Sequence, residues 1–396
     1  MNILTDELKK IQPYVKQGNV LMKASHLESF PKDVNELVAW RRLPPKSSLK
    51  TTGVITSADT VEFEIESDNG GYVHELICEL TLKETGNATA ATVNPPLIFD
   101  KIEFYVNGSK DSYHVQYPDE TGFLDYITIP YEEQRKIRGA KNLNLDYTPV
   151  ASNLPQNSTN TYLIRLNMFK GTQPDFRKIR GGIKIKFYFN APTVFADNTL
   201  STTIGLSDMN IILRQLNINE VMHSLPIRHK YINYTRNSDQ FTMSANNKYK
   251  LKLTSLIGYC SHIILMIRTN PVSTSYVNYN TLIGNIDRIE FNDRSGKPQG
   301  IPFTKKINNY LMADSLNSDF VVSYPTGTNL WVLPFNILPS SAEHGVYYGS
   351  YSLTGDESID VYTNSSFVSG SYEIMAWGAM MNYFDINPNG LFEFTK

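Results

Sequence analysis

The chain has 396 residues, of which 41% are apolar and 19% charged, and its net charge at pH 7 is -2. That length exceeds one ordinary hydrophobic core and suits two domains, and the composition is that of a globular protein able to bury them. Near-neutral charge argues against a general nucleic-acid binder, and 2 cysteines are too few for a disulfide framework.

Residues 1–45 read as an N-terminal arm. Thr5 can cap a short helix with Asp6 and Glu7 in its first turn, where negative charge complements the helix dipole. Leu4, Leu8, Ile11 and Val15 fall on one side at helical spacing, interrupted by Pro13. Such a stripe needs a cover, from its own domain, a neighbouring subunit or a membrane surface. The segment is polar and lacks the apolar stretch of a secretory leader. The longest apolar run, near residues 256–267, is broken by Ser261 and His262 and is too short to span a bilayer. The expectation is a soluble chain made in a reducing cytoplasm and not exported.

The first domain is expected over residues 46–222. Val61, Phe63 and Ile65 alternate with Glu62, Glu64 and Glu66; Ile102, Phe104 and Val106 alternate with Lys101, Glu103 and Tyr105. Ile183, Ile185, Phe187 and Phe189 do the same against Lys184, Lys186 and Tyr188. A period of two predicts antiparallel sheets buried on one face and wet on the other. A short helix is expected to open near Pro130, followed by Glu132 and Glu133. A linker at 223–236, containing Pro226, leads to a second domain over 237–384. There Tyr249, Leu251 and Leu253 face away from Lys248, Lys250 and Lys252, and Ile307, Tyr310 and Leu311 predict a helix over 304–314. Residues 385–396 form a tail whose Leu391, Phe392 and Phe394 call for a docking surface.

The two domains repeat each other. Asp100-Lys101-Ile102-Glu103-Phe104 recurs as Asp287-Arg288-Ile289-Glu290-Phe291, each followed by a turn cluster. In the same order, 61–82 resembles 241–268, each stretch holding one of the two cysteines, Cys78 and Cys260. Further on, 161–169 pairs with 330–338, 183–189 with 359–363, and 209–216 with 372–378. A repeat this long signals duplication of a whole domain. Each copy offers seven or eight strands with connections too long for a meander. The expected fold is therefore all-β: two tandem eight-stranded sandwiches with jelly-roll winding, short helices in loops and a helical arm.

Motifs for chemistry are few. The histidines are scattered without metal-ligand spacing, and no nucleophile elbow or phosphate loop is present. Asp119-Glu120 and Glu132-Glu133 could supply the carboxylate pair of glycoside chemistry, but adjacent acids in polar loops more often sit in solvated turns. No catalytic residue, cofactor or metal is expected. Arg-Lys-Ile-Arg-Gly occurs twice in the first copy, giving two candidate basic contact loops: Arg135, Lys136 and Arg138, then Arg177, Lys178 and Arg180. They read either as solvated loop edges or as contacts to polyanions or to acidic residues of a neighbouring subunit.

A doubled sandwich with a polar helical arm and no catalytic signature resembles the double-jelly-roll major capsid proteins of tailless icosahedral membrane-containing phages, the tectivirus- and corticovirus-like lineage. The segment Ile218-Asn219-Glu220-Val221-Met222-His223-Ser224-Leu225-Pro226 is similar to the one that joins the two barrels in tectivirus capsid proteins. The resemblance implies a homotrimer whose six barrels imitate a hexagon and tile an icosahedral virion shell. It also implies contacts with lattice neighbours, with penton and minor capsid proteins, and with an internal viral membrane through the arm, but no specific nucleic acid. Two other readings compete: a secreted double-jelly-roll carbohydrate-binding or deglycosylating protein, and a phage spike or minor vertex protein.

Overall fold

The computed structural model describes residues 37–66, 72–86, 90–118, 120–122, 124, 153–168, 174–196, 204–217, 227–269, 286–315, 330–335, 349–386 and 389–395. The first sandwich is built from β1 (Leu37–Leu43), β2 (Thr60–Ile65), β3 (Tyr72–Glu84), β4 (Phe99–Val106), β5 (His114–Gln116), β6 (Thr159–Leu166), β7 (Ile183–Phe189) and β8 (Ile204–Asn217). These form two antiparallel sheets, β1-β8-β3-β6 and β2-β7-β4-β5. The chain crosses between sheets at nearly every step, which is jelly-roll winding.

The second sandwich repeats this strand for strand. Its strands are β9 (Ile227–Met243), β10 (Lys248–Lys252), β11 (Ile257–Thr269), β12 (Ile286–Asn292), β13 (Phe303–Thr304), β14 (Leu330–Pro334), β15 (Tyr351–Thr354), β16 (Ser358–Thr363), β17 (Gly370–Ile386) and β18 (Phe392–Thr395). The sheets are β9-β17-β11-β14 and β10-β16-β12-β13, with β15 added to β11 and β18 added to β17. The duplicated Asp-Lys/Arg-Ile-Glu-Phe string lies in β4 and β12, which hold the same place in their sheets. Cys78 and Cys260 sit on the corresponding strands β3 and β11, both buried as free thiols.

The alternation seen in the sequence is the burial pattern. Phe63, Phe104, Ile185, Phe187, Cys78, Leu80, Ile211 and Leu213 fill the first core, where the Phe63 and Phe187 rings meet edge to face at 5.5 Å. Leu251, Ile263, Leu265, Ile289, Trp331, Val361 and Ile374 fill the second. Burying each large side chain stabilises the fold by about 1.5–3 kcal/mol.

Three segments differ from expectation. Leu37–Leu43, assigned to the arm, is strand β1 and pairs along its whole length with β8. It escaped notice because its sequence, LVAWRRL, places Trp40, Arg41 and Arg42 in solvent instead of alternating cleanly. Most of the 223–236 linker belongs to β9, a 17-residue strand in register with all of β17. The tail is not separate either: Phe392–Thr395 adds to β17 as β18. Of the helices, α1 (Pro192–Phe195) is a single turn, and α2 (Lys305–Ser315) coincides with the predicted 304–314 helix. The helix expected near Pro130 lies outside the described residues, whereas helical residues begin earlier, at Pro118.

Candidate functional site at the seam between the sandwiches

In the second sandwich, Ile263, Leu265 and Ile267 of β11 point into the core, so Ile264 and Met266 lie on the opposite face. They too are fully buried, as are Met375, Trp377 and Ala379 of β17 and Val332 of β14. A sheet wet on its outer face was expected; this one is covered on both. The continuous apolar run from Ile263 to Ile267 is the sequence signature of that burial.

At one edge of this sandwich, α2 bridges the two sheets. Asn308 donates from its amide to the Leu330 carbonyl at 2.9 Å and accepts from the Val332 N–H at 3.0 Å, fastening the helix to β14. In the first sandwich Gln116 makes the same kind of brace: its amide donates to the Arg165 carbonyl and accepts from the Asn167 N–H, both at 2.9 Å. Over Trp377 the cover comes from the first sandwich. Glu120 is 5% exposed; it accepts from the Trp377 indole Nε1 at 2.9 Å and pairs with the Arg236 guanidinium. Arg236 lies opposite Trp377 in the β9–β17 register and stacks 5.2 Å from the Tyr117 ring. A carboxylate taken out of water must be bonded and charge-compensated, and this one is both.

Two further contacts bind the sandwiches. Ile386, at the end of β17, packs within the first core. Gly390 accepts through its carbonyl from the Arg180 N–H at 2.8 Å. Its φ is +79°, and a Cβ there would come within 2.6 Å of the Lys178 carbonyl oxygen. The second basic string is therefore used within the chain: Arg177 grips the buried Asp175 through Nε and Nη2, both at 2.9 Å, while Lys178 and Arg180 form the seat of the tail. Arg135, Lys136 and Arg138 lie outside the described residues, as do Leu4, Leu8, Ile11 and Val15.

A cleft of about 300 Å³ opens along the seam, lined by His114, Gln116, Glu120, Tyr234, Arg236 and Trp377 among others. Burial pulls the His114 imidazole down to about 4, so it is neutral at pH 7. Glu120 is the single acid among the described lining residues, and its oxygens are engaged by Arg236 and Trp377. Glycoside hydrolysis needs two carboxylates across a gap. The sequence reading placed Glu120 in a solvated turn; it is instead buried at the seam because the second sandwich closes over it. Among the described residues no three His, Cys, Asp or Glu side chains converge to hold a metal ion.

Both sandwiches also carry a matched polar cluster, on the corresponding sheets β2-β7-β4-β5 and β10-β16-β12-β13. Glu103 accepts from Lys101 Nζ at 2.7 Å and from the hydroxyls of Tyr105 and Tyr188 at 2.5 and 2.7 Å. Glu290 accepts from Arg288 Nε and the Tyr362 hydroxyl, both at 3.0 Å. Lys101 faces Tyr188 in register as Arg288 faces Tyr362, so the repeat extends to individual side-chain contacts.

Two eight-stranded jelly rolls, duplicated to the level of single contacts and joined edge to face by a buried seam, define the double-jelly-roll class. No protein-family model matches the sequence, and no curated protein matches it either. Solved structures do match the fold. The PBCV-1 protein VP54, as fitted into a reconstruction of the virophage Sputnik, aligns with a TM-score of 0.67 at 10% identity, over 93% of this chain and 98% of that one. The Faustovirus major capsid protein aligns at 0.52 and 10% identity, over 96% and 98%. The major capsid protein of Sulfolobus turreted icosahedral virus aligns at 0.51 and 10%, over 88% and 96%. At such identities the likeness is one of fold: this chain has the double-jelly-roll architecture found in viral major capsid proteins.

Proposed function

We propose that this chain is a virion structural protein, a major capsid protein that forms homotrimers acting as pseudo-hexagonal capsomers in an icosahedral shell. The observation that carries the reading is the seam. It joins two equivalent sandwiches through an ion pair on a buried carboxylate, a shared core residue and a backbone clamp, so one chain presents two like units in a fixed relation. Three such chains supply six similar units, which is what a sixfold lattice position requires of a threefold object. A binding or hydrolytic role for the cleft is less well served, because its one described carboxylate is already bonded.

In this reading the chain is made in the host cytoplasm and ends in the virion. Its partners are its own copies, penton and minor capsid proteins and, through Leu4, Leu8, Ile11 and Val15, neighbouring subunits or an internal membrane. The tectivirus- and corticovirus-like lineage is one home for it; the viruses of the matching structures are another. Light scattering on the purified chain tests the proposal: a stable species of three chain masses supports it, and a monomer at all concentrations removes it. With Leu8→Asp and Ile11→Asp together, trimers are expected to persist while shell assembly fails. Normal particles from that variant would take the arm out of the reading.

A further inference from the structure

The seam is an edge-to-face contact within one chain, and the same two surfaces occur once more, uncovered. Each sandwich has one described cross-strand Trp–Arg pair on the outer face of corresponding sheets, β9-β17-β11-β14 and β1-β8-β3-β6: Arg236 on β9 opposite Trp377 on β17, and Trp40 on β1 opposite Arg214 on β8. The first of these pairs is engaged by Tyr117 and Glu120, which follow β5 of the first sandwich, and its Trp377 is buried. The second is open: Arg214 stacks on Trp40 at 5.3 Å, yet Trp40 is 59% exposed. Around it the half-exposed Ile77 and Ile212 add apolar surface, ringed by Glu75, Glu79 and Arg42. The covering surface is duplicated too. In the second sandwich the region around β13 and α2 occupies the place that β5 and the residues after it hold in the first. There Ile301 and Tyr310 stand 65% and 73% exposed.

We infer that the β13–α2 region of one copy, through Ile301 and Tyr310, docks on the Trp40–Arg214 face of the next copy. This intermolecular contact repeats the intramolecular seam. The occupant is a second copy of this chain because the seam already shows these two kinds of surface meeting. Both remaining surfaces are present once per chain, one on each sandwich. Such a contact is heterologous: each copy uses one surface on each side, and copies add head to tail until the ring closes. The inference rests on the trimeric reading above and specifies its interface.

The test uses two variants at exposed positions, Trp40→Glu and Tyr310→Glu, each checked for wild-type circular dichroism. Each alone is expected to raise the concentration for half-assembly by about a hundredfold, the effect of losing a buried aromatic anchor. Mixed in equal amounts, they should form dimers and stop there, because one intact interface remains between a Trp40→Glu chain and a Tyr310→Glu chain. Variants that stay trimeric, or a mixture that yields no dimer or proceeds to trimers, overturn the interface while leaving a trimeric wild type standing. A monomeric wild type fells the trimeric reading itself. Independently of any variant fold, acrylamide quenching of the wild-type trimer reports on Trp40, since Trp331 and Trp377 are buried. Shielded tryptophan fluorescence is expected; a quenchable component that disappears in Trp40→Phe refutes the docking.

Discussion

Glu120 and Trp377 are 257 positions apart in the chain and hydrogen-bonded at 2.9 Å, one contributed by each sandwich. The bond closes a triad with Arg236 in which the acid and the indole are buried and the base reaches solvent. Removing Glu120 takes that acceptor away from the buried indole, and the loss of an acceptor from a buried donor costs more than the bond itself contributes.

Glu120→Ala is accordingly expected to lower stability by about 1–3 kcal/mol, most of it from the buried indole, since the solvent around Arg236 screens the ion pair. It should also split a single urea transition into two, as the sandwiches lose their coupling. Equilibrium unfolding followed by tryptophan fluorescence and by circular dichroism checks this. Coincident single transitions at the wild-type midpoint would mean that the seam is held by other contacts.

Glu103 gives a pH signature. Burial alone would raise its pKa, but hydrogen bonds from Lys101, Tyr105 and Tyr188 prevail and hold it down at about 2. A carboxylate whose pKa is depressed on folding contributes stability above its unfolded value, lost as pH falls through its folded one. Wild type should therefore exceed Glu103→Gln by about 1–2 kcal/mol at pH 7, with the gap constant down to about pH 5 and closing towards pH 2. Denaturation midpoints of the pair across that range provide the measurement.

Gly390 adopts a left-handed backbone in contact with the Lys178 carbonyl. Gly390→Ala is expected to cost about 1–3 kcal/mol and to loosen the tail from the first sandwich. Faster proteolytic removal of the last residues, with the rest of the chain intact, is the expected readout.

Cys78 and Cys260 are buried, and burial pushes both thiols above their ordinary pKa. Neither should react with a thiol reagent in the native protein, and both should react in denaturant. A native thiol that titrates rapidly at pH 8 would show that its strand opens readily.

Much of the fold was legible because the cores obey a period of two and the duplicated Asp-Lys/Arg-Ile-Glu-Phe string marks equivalent strands. The elements that were missed are those whose burial comes from the other sandwich or whose outer face is wet and charged. Trp40 and the arginines beside it hid β1, and the polar stretch Tyr231 to Gln240 hid most of β9. Glu120 looked like a solvated turn acid, since nothing local announces a partner more than a hundred residues away. The available hint was in β11, where Ile264 and Met266 leave the strand apolar on the face that should have been wet. A sheet apolar on both sides implies a second layer over it.

Ile386, at the end of β17, completes the hydrophobic interior of the half that is translated first, and Gly390 clamps the backbone beside it. The leading half thus emerges from the ribosome lacking that side chain and can reach its mature form only once β17 has been made. A chain cut short before β17 would keep that gap, which ties the maturation of one half to the synthesis of the other.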